Sequence, residues 1–171
     1  VIDTYTITYS VTDSAGNTGT ATRTVIVNDT IAPTGSVSYN TVNPTNHGVT
    51  ATLTVSKPIE TPENWTKTSD TTFTRVYEEN ITEELTIKDF AGNMNTVTVS
   101  INNIDKVKPV ITVLGDNPYN LEYNTIYNDP GATAEDNVDG DLTSKIDVSG
   151  AVNPSSIGTY TITYTASDTA G

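Results

Sequence analysis

The stretch that decides the fold occurs twice, as Asp3-Thr-Tyr-Thr-Ile-Thr-Tyr-Ser-Val-Thr-Asp-Ser-Ala-Gly16 and as Gly158-Thr-Tyr-Thr-Ile-Thr-Tyr-Thr-Ala-Ser-Asp-Thr-Ala-Gly171. In both copies, apolar residues occupy every second position and threonine or serine fills nearly all positions between them. Because side chains alternate across a pleated strand, this pattern predicts a strand with one buried and one solvated face. The closing Asp-x-Ala-Gly predicts a tight turn, since aspartate bonds to the following backbone and glycine permits positive φ.

These strands belong to a repeated unit. After the first copy, a second alternating run carries Val25 and Val27, which predicts a β-hairpin, and a weaker copy spans Leu85 to Gly92. Three pairs of residues are each separated by 76 positions: Asp13 and Asp89, Asp29 and Asp105, and Pro33 and Pro109. A fixed period of this size predicts a tandem array of domains.

The period divides the chain into three parts. Residues 1–30 are predicted to be the C-terminal strands of one domain, residues 34–105 a complete domain, and residues 107–171 a domain lacking its last strand. Short alternating strands, regular turn signals and abundant Thr, Val, Ile and Tyr predict an all-β fold of tandem β-sandwiches, and no amphipathic helical pattern appears. In the complete domain, strands are predicted at Ser36–Tyr39, Thr50–Val55, Phe73–Tyr77 and the closing hairpin, with Trp65 as a core anchor.

Composition excludes several classes of function. The 171 residues contain 8 Lys and Arg against 21 Asp and Glu, a net charge of −13, which leaves no basic surface for nucleic acid. No apolar run approaches the length of a membrane span, so this segment is not expected to insert into a membrane. Cysteine is absent, so neither disulfides nor thiol chemistry is expected.

Four further stretches carry a family resemblance: Pro109-Val-Ile-Thr-Val-Leu-Gly, Tyr127-Asn-Asp-Pro-Gly-Ala-Thr-Ala, Asp139-Gly-Asp-Leu-Thr and the strand beginning at Gly158. Together they resemble a bacterial immunoglobulin-like module, the type named after an insecticidal crystal toxin and common in surface proteins. The resemblance covers residues 1–29 and 109–171, and residues 34–105 only through the closing hairpin. It implies seven strands, A to G, with the repeated stretch as strand F. Tyr5 and Tyr160 would then occupy the tyrosine-corner position, although simple burial as bulk is the alternative.

Catalytic chemistry has little support in the sequence. The single histidine, His47, lies in a polar Asn-His-Gly loop, and no nucleophile elbow, phosphate loop or zinc-protease motif is present. Adjacent carboxylates such as Glu78 and Glu79 point to opposite faces if they lie on a strand. The chain is therefore predicted not to be an enzyme.

An acidic loop is the main candidate site. Glu135, Asp136, Asp139 and Asp141 lie within seven residues of one another. Clustered carboxylates and carbonyls suit calcium, but the spacing is not that of an EF-hand, and a solvated Asp-Gly turn is the alternative.

Strand direction predicts which other residues approach this loop. In a seven-strand sandwich the B–C and F–G loops lie at the same pole as the preceding linker. This brings Asp105 and Asp168 to the acidic loop, and it brings Asp29 and Asp89 together with Glu60 or Glu63 in the complete domain. Carboxylates gathered in this way repel one another unless a cation joins them. We therefore expect any calcium to bind there and stiffen the junction, with these ligands: Asp105, Glu135, Asp136, Asp139, Asp141 and Asp168.

The resemblance favours a structural stalk or spacer segment of a bacterial secreted or cell-surface protein, with neighbouring Ig-like repeats as its contacts. An adhesin module that binds glycan or protein is the alternative, and an accessory domain of a surface enzyme is a third. Four aromatic residues discriminate between them: Trp65, Phe73, Tyr77 and Phe90. If two or more are exposed on one face, binding is favoured, and if all are buried, the spacer is favoured.

The repeated strand makes two further predictions. Tyr160, Ile162 and Tyr164 should be mostly buried, and the alternating threonines Thr161, Thr163 and Thr165 largely exposed. The incomplete first and third domains indicate either an excerpt from a longer array or a fibre in which residues 18–27 complete the next molecule. The excerpt is favoured, because the acceptor already has its own copy of residues 3–13. It predicts that the apolar residues of the first copy are poorly covered and that an edge beside residues 160–166 is unpaired.

Overall fold

A computed structural model describes residues 3–171, which form thirteen β-strands and one short 3-10 helix. The all-β class predicted from the alternating runs is confirmed. No helix among these residues has the length and apolar character needed to cross a membrane. The described chain falls into two compact units, and the three-domain division proposed above stays a prediction. The first unit contains residues 3–40, Val49–Tyr77 and Ile81–Ile101, and the second contains Thr41–Gly48, Glu78–Asn80 and Asn102–Gly171.

The first unit begins with an antiparallel hairpin of two ten-residue strands, β1 (Asp3–Thr12) and β2 (Thr18–Val27). Its turn is closed by Asp13, whose Oδ1 accepts a hydrogen bond of 2.9 Å from the backbone N–H of Ala15. Gly16 follows with φ of +88°, a left-handed conformation that glycine adopts without steric cost. The predicted strand and its Asp-x-Ala-Gly turn therefore both form.

The rest of the first unit is a β-sandwich. Its larger sheet has the strand order β3–β4–β6–β5, and its smaller sheet pairs β7 with β8, all antiparallel. An isolated bridge between Ile59 and Asp89 adds a short piece of a further strand beside β7. This is the ABED and CFG arrangement of an immunoglobulin-like domain, with strand C reduced to that bridge. The strands are β3 (Gly35–Tyr39), β4 (Val49–Val55), β5 (Thr66–Lys67), β6 (Thr72–Tyr77), β7 (Ile81–Lys88) and β8 (Met94–Ile101).

The two sheets meet over an apolar core. Alternation along β4 turns four residues inwards, and all are buried: Val49, Ala51, Leu53 and Val55. Leu53 from the larger sheet meets Ile87 and Val97 from the smaller sheet at Gly35. A Cβ atom at Gly35 would lie only 3.2–3.3 Å from side-chain carbons of these three residues, so a glycine here lets the sheets approach closely.

The aromatic residues of the sandwich belong mostly to this core. Trp65, Phe73 and Tyr77 are buried, and the rings of Trp65 and Tyr77 pack edge to face at 6.4 Å. The prediction that Trp65 is a core anchor is confirmed. Phe90 is 66% exposed, so one of the four aromatic residues tested lies at the surface, and neither the condition for a binding face nor the condition for a spacer is met.

The second unit contains two small antiparallel sheets, in the orders β11–β10–β9 and β12–β13, with the 3-10 helix Thr143–Lys145 between them in the chain. Ile104, Ala134 and Leu142 are its buried apolar residues among those described. The residue pattern did not by itself predict β9, β10, β11 or β12, since these strands show no clear alternation of apolar and polar residues. The strands are β9 (Val110–Val113), β10 (Ala132–Asp136), β11 (Gly140–Asp141), β12 (Asp147–Ser149) and β13 (Thr163–Thr165).

The repeated stretch at β13 has the predicted register but less cover than predicted. Ile162 and Tyr164 are half-buried, and the threonines on either side of them are exposed. Tyr160 is 36% exposed and lies at the surface, so its burial was overestimated. Among the described residues β13 pairs with β12 alone, so its other edge has no strand partner, as predicted.

Tyr160 nevertheless forms the predicted tyrosine corner. Its hydroxyl donates a hydrogen bond of 2.9 Å to the backbone carbonyl of Ser156, four residues upstream. For Tyr5 the equivalent carbonyl lies outside the described residues, and its hydroxyl lies 3.4 Å from the Asp3 carboxylate. The corner is therefore confirmed for Tyr160 only.

The apolar residues of β1 are exposed, as predicted. Tyr5, Ile7 and Tyr9 all lie at the surface of the hairpin, and residues 18–27 pair with β1.

Candidate metal centre

Three aspartates of the second unit come together. Asp105, Asp136 and Asp168 each offer a carboxylate oxygen, and these oxygens lie within 4.8 Å of one another. Asp105 is 8% exposed and Asp136 6% exposed, while Asp168 is half-buried. The prediction from strand direction, that the linker, the loop after strand B and the turn after strand F share one pole, is confirmed for these three residues.

Asp105 is positioned by the linker backbone. Its N–H donates a hydrogen bond of 2.9 Å to the carbonyl of Thr45, and the preceding Ile104 forms a parallel β-bridge with the same residue. The Asp105 side chain accepts a bond of 3.1 Å from the N–H of Val107. The carboxylate is therefore fixed by the chain on both sides of it.

Asp136 ends β10 and is held by the loop that follows. Its Oδ1 accepts hydrogen bonds from the N–H groups of Asp139, at 2.9 Å, and Val138, at 2.8 Å. These two donors lower the pKa of the Asp136 carboxyl below its ordinary value. The other oxygen, Oδ2, is buried and has no hydrogen-bond partner.

Asp168 opens the Asp-x-Ala-Gly turn of the second copy. Its Oδ1 accepts hydrogen bonds from the N–H groups of Ala170, at 2.9 Å, and Gly171, at 2.7 Å. Asn46 contacts the same turn, since its N–H donates a bond of 3.2 Å to the carbonyl of Ala170 and its side chain donates to the carbonyl of Gly171. Residues 41–48 thus pack against the turn that carries Asp168.

The structure does not bring the other three predicted ligands into this group. Glu135 is exposed, because alternate residues of β10 point to opposite faces and Asp136 takes the inner one. Asp139 accepts bonds of 2.6 Å and 2.9 Å from the N–H and hydroxyl of Thr169. Asp141 is exposed, and the hydroxyl and N–H of Thr143 lower its pKa. The acidic residues of this loop are close in sequence, but of these four only Asp136 joins the group.

The first unit contains a second group of the same kind, with a cation built in. Lys57 Nζ donates to Asp29 at 2.8 Å and to Asp89 at 3.0 Å, and also to the carbonyl of Ile31. The Asp29 carboxylate raises the pKa of Lys57, and the ammonium in turn lowers the pKa of Asp29. Burial alone would raise the pKa of Asp89, but hydrogen bonds from Asn93 and Lys57 outweigh it and lower that pKa well below its ordinary value.

Sequence reasoning predicted the two aspartates of this group but not the lysine. It proposed Glu60 or Glu63 as the third member, and this is wrong: Glu60 pairs with Lys88 at 2.9 Å and Glu63 is exposed. Lys57 stands before a proline and carries no local pattern. Its equivalence to a residue of the other repeat can be recognised only when the two repeats are aligned by strand register.

That alignment places Lys57 and Asp136 at equivalent positions. Gly35 pairs with Val55, and Ile111, 76 residues after Gly35, pairs with Ala134. Lys57 and Asp136 each stand two residues beyond the strand B partner in these pairs.

The two aspartates of each group are equivalent as well. Asp29 and Asp105 are 76 residues apart in the linkers. Asp89 and Asp168 both begin Asp-x-Ala-Gly turns in which the carboxylate accepts the N–H of the alanine and the glycine has positive φ. One group therefore carries two carboxylates and an ammonium, a net charge of −1, where the other carries three carboxylates, a net charge of −3.

These features define a class of module: an Ig-like β-sandwich whose preceding linker is held by its own loops. The family model for the Ig-like domain of bacterial surface proteins matches residues 1–27 and 111–171, slightly more than half of the chain. The chain belongs to this family, as the sequence resemblance indicated. No curated protein and no solved structure shows significant similarity to it.

Proposed function

We propose that this chain is a structural spacer, or stalk, segment of a bacterial protein that is secreted or held at the cell surface. In this role it has no catalytic activity and holds other parts of the protein at a fixed distance and direction. The observation that carries the proposal is that both linkers are hydrogen-bonded to the domains on which they border.

The linker of the first unit supports this role through side-chain contacts. Besides the Lys57 pair described above, Asn93 Nδ2 donates to the carbonyl of Asp29 at 3.0 Å, and Asn95 Nδ2 donates to the carbonyl of Pro33 at 3.0 Å. A linker with so many partners has little rotational freedom, unlike a flexible polar tether.

The linker of the second unit is held equally closely. Asn80 bonds to both sides of Ile104, since its Nδ2 donates to the carbonyl and its Oδ1 accepts from the N–H, each at 2.8 Å. Asn103 Nδ2 donates to the carbonyl of Asn43 at 2.8 Å. Residues 41–48 and 78–80 therefore hold residues 103–105 in one conformation.

Burial of the aromatic residues also supports a spacer. Trp65, Phe73 and Tyr77 serve the core of the sandwich, so Phe90 is the one exposed ring among the four aromatic residues compared there. Aromatic hot spots of binding surfaces cluster, so one isolated ring is ordinary protein surface.

The test is the width of the distribution of distances between two spin labels, one in each unit. Because the chain has no cysteine, Thr54→Cys and Ser149→Cys would give two unique, exposed sites for spin labels, one in each unit. We expect pulsed electron paramagnetic resonance to show one narrow distribution of distances between the labels. Asn80→Ala should broaden it, whereas Glu79→Ala, at the exposed neighbouring residue, should not. A distribution as broad as that of a flexible linker, in the doubly labelled chain that keeps Asn80, would contradict the spacer role.

A second candidate function, adhesion to a glycan, is favoured by a cavity of about 690 Å³ in the second unit. Five tyrosines are among the residues that line it, and their amphipathic side chains suit a ligand with both apolar and polar faces: Tyr119, Tyr123, Tyr127, Tyr160 and Tyr164. Binding to a glycan array that is lost in Tyr123→Ala would favour the adhesin, and no binding would favour the spacer.

A further inference from the structure

We propose that Asp105, Asp136 and Asp168 bind one calcium ion, which does for the second linker what Lys57 does for the first. Calcium binding itself does not depend on the spacer role. Only its consequence, a linker fixed to the loops of the following domain, rests on the proposed function.

The first argument is the uncompensated charge. Three carboxylate oxygens lie within 4.8 Å of one another, and two of the three residues are more than nine-tenths buried. Like charges at this separation repel strongly where water is largely excluded. None of the ion pairs formed among residues 3–171 includes any of the three.

The second argument is independent of charge and concerns one oxygen atom. Loop N–H groups satisfy Oδ1 of Asp136, but the buried Oδ2 has no partner. Buried polar atoms nearly always have a partner, and an unpartnered anionic oxygen is especially costly. Because the loop holds Oδ1, Oδ2 is the atom left to bind a cation shared with Asp105 and Asp168.

The third argument is the comparison between the two groups. Lys57 joins two carboxylates that have equivalents in Asp105 and Asp168, and Asp136 stands where Lys57 would be. The substitution removes an internal cation and supplies a metal ligand in its place. A cation from solution then restores the attraction that the ammonium provides in the first unit.

The donor set indicates calcium. All three side chains offer hard oxygen atoms, and the chain has no cysteine and a single histidine, so zinc and copper lack their preferred ligands. Calcium accepts six to eight oxygens in flexible geometry, and loop carbonyls and water complete such a shell. Magnesium demands a near-ideal octahedron and gives up its water reluctantly. Extracellular calcium modules bind with Kd of about 10⁻⁴–10⁻³ M, and we expect an affinity in this range.

Isothermal titration of calcium into the full, chelator-treated chain tests the proposal, with equilibrium dialysis as a second readout in case the heat is small. We expect one site. Asp136→Asn should weaken binding at least about tenfold, since it removes the anionic Oδ2. Glu135→Gln is the matched control, because it removes the same charge from the adjacent exposed residue and should leave the affinity unchanged.

Three results would overturn the assignment: no binding by either method, equal loss in Asp136→Asn and Glu135→Gln, or magnesium bound as tightly as calcium. Circular dichroism checks that Asp136→Asn is folded, and Asp168→Asn decides the matter if it is not. The spin-label distances are measured separately. Calcium could therefore bind while the spacer role fails, or the linker could prove rigid without calcium.

Discussion

Replacing Leu53 by alanine tests whether the sandwich of the first unit is held by the packing of its two sheets. Leu53 is fully buried and meets Ile87 and Val97 of the facing sheet near Gly35. The change removes three carbons, worth about 2.4 kcal/mol at about 0.8 kcal/mol per buried CH₂. The cavity left behind adds to this loss, so we expect a decrease of about 3–4 kcal/mol in the free energy of unfolding. At about 4–8 °C per kcal/mol for a domain of this size, the midpoint should fall by at least about 12 °C.

The assay is thermal unfolding followed by tryptophan fluorescence. Trp65 is the only tryptophan of the chain and is buried in the same sandwich, so the signal reports on this unit alone. Thr54→Ala is the matched control, because Thr54 is the next residue of β4 and points to solvent. It should cost less than about 1 kcal/mol. Equal midpoint shifts for the two variants would refute the proposed core.

Three further predictions concern the sites. Tyr160→Phe should lower the stability of the second unit by about 0.5–1.5 kcal/mol, because it removes the hydrogen bond to the Ser156 carbonyl; calorimetry showing no change would argue against a stabilising corner. Because the pKa of Asp89 is lowered in the folded state, this carboxylate contributes stability above the ordinary carboxyl pKa, and that stability is lost as the pH falls below about 4. The thermal midpoint followed by Trp65 fluorescence should therefore fall less steeply with acid in Asp89→Asn than in the native chain. Lys57→Asp should raise the calcium stoichiometry from one to two, since it gives the first unit the same three carboxylates as the second; an unchanged stoichiometry in a folded variant would contradict the equivalence of the two groups.

The sequence predicted the long strands because their alternation is unambiguous. The repeated stretch gave β1 and the register of β13, and alternation in β4 and β8 gave the sandwich core. Other short strands, such as β10, contain too few alternating apolar residues to be recognised. The burial of Tyr160 was overestimated, because alternation predicts which face a side chain takes but not what covers that face.

The candidate site was predicted in part for a similar reason. Strand direction brought Asp105, Asp136 and Asp168 together correctly, since it depends only on the order of strands. Local clustering of acidic residues added Glu135 and Asp141, which strand geometry keeps apart from the group. Lys57 was missed because it shows its role only when aligned with Asp136, and that requires the observed pairing of β3 with β4 and of β9 with β10.

The most direct test of the central claim, that one group carries its own cation and the other takes calcium from solution, is the stability of the full chain with and without calcium. With a Kd of about 10⁻⁴ M, about 10 mM calcium should stabilise the native chain by about 2.7 kcal/mol relative to chelator. Asp136→Lys copies the arrangement at Lys57, so calorimetry should find it folded in chelator and unaffected by calcium. A native chain whose unfolding is the same in calcium and in chelator would contradict the claim.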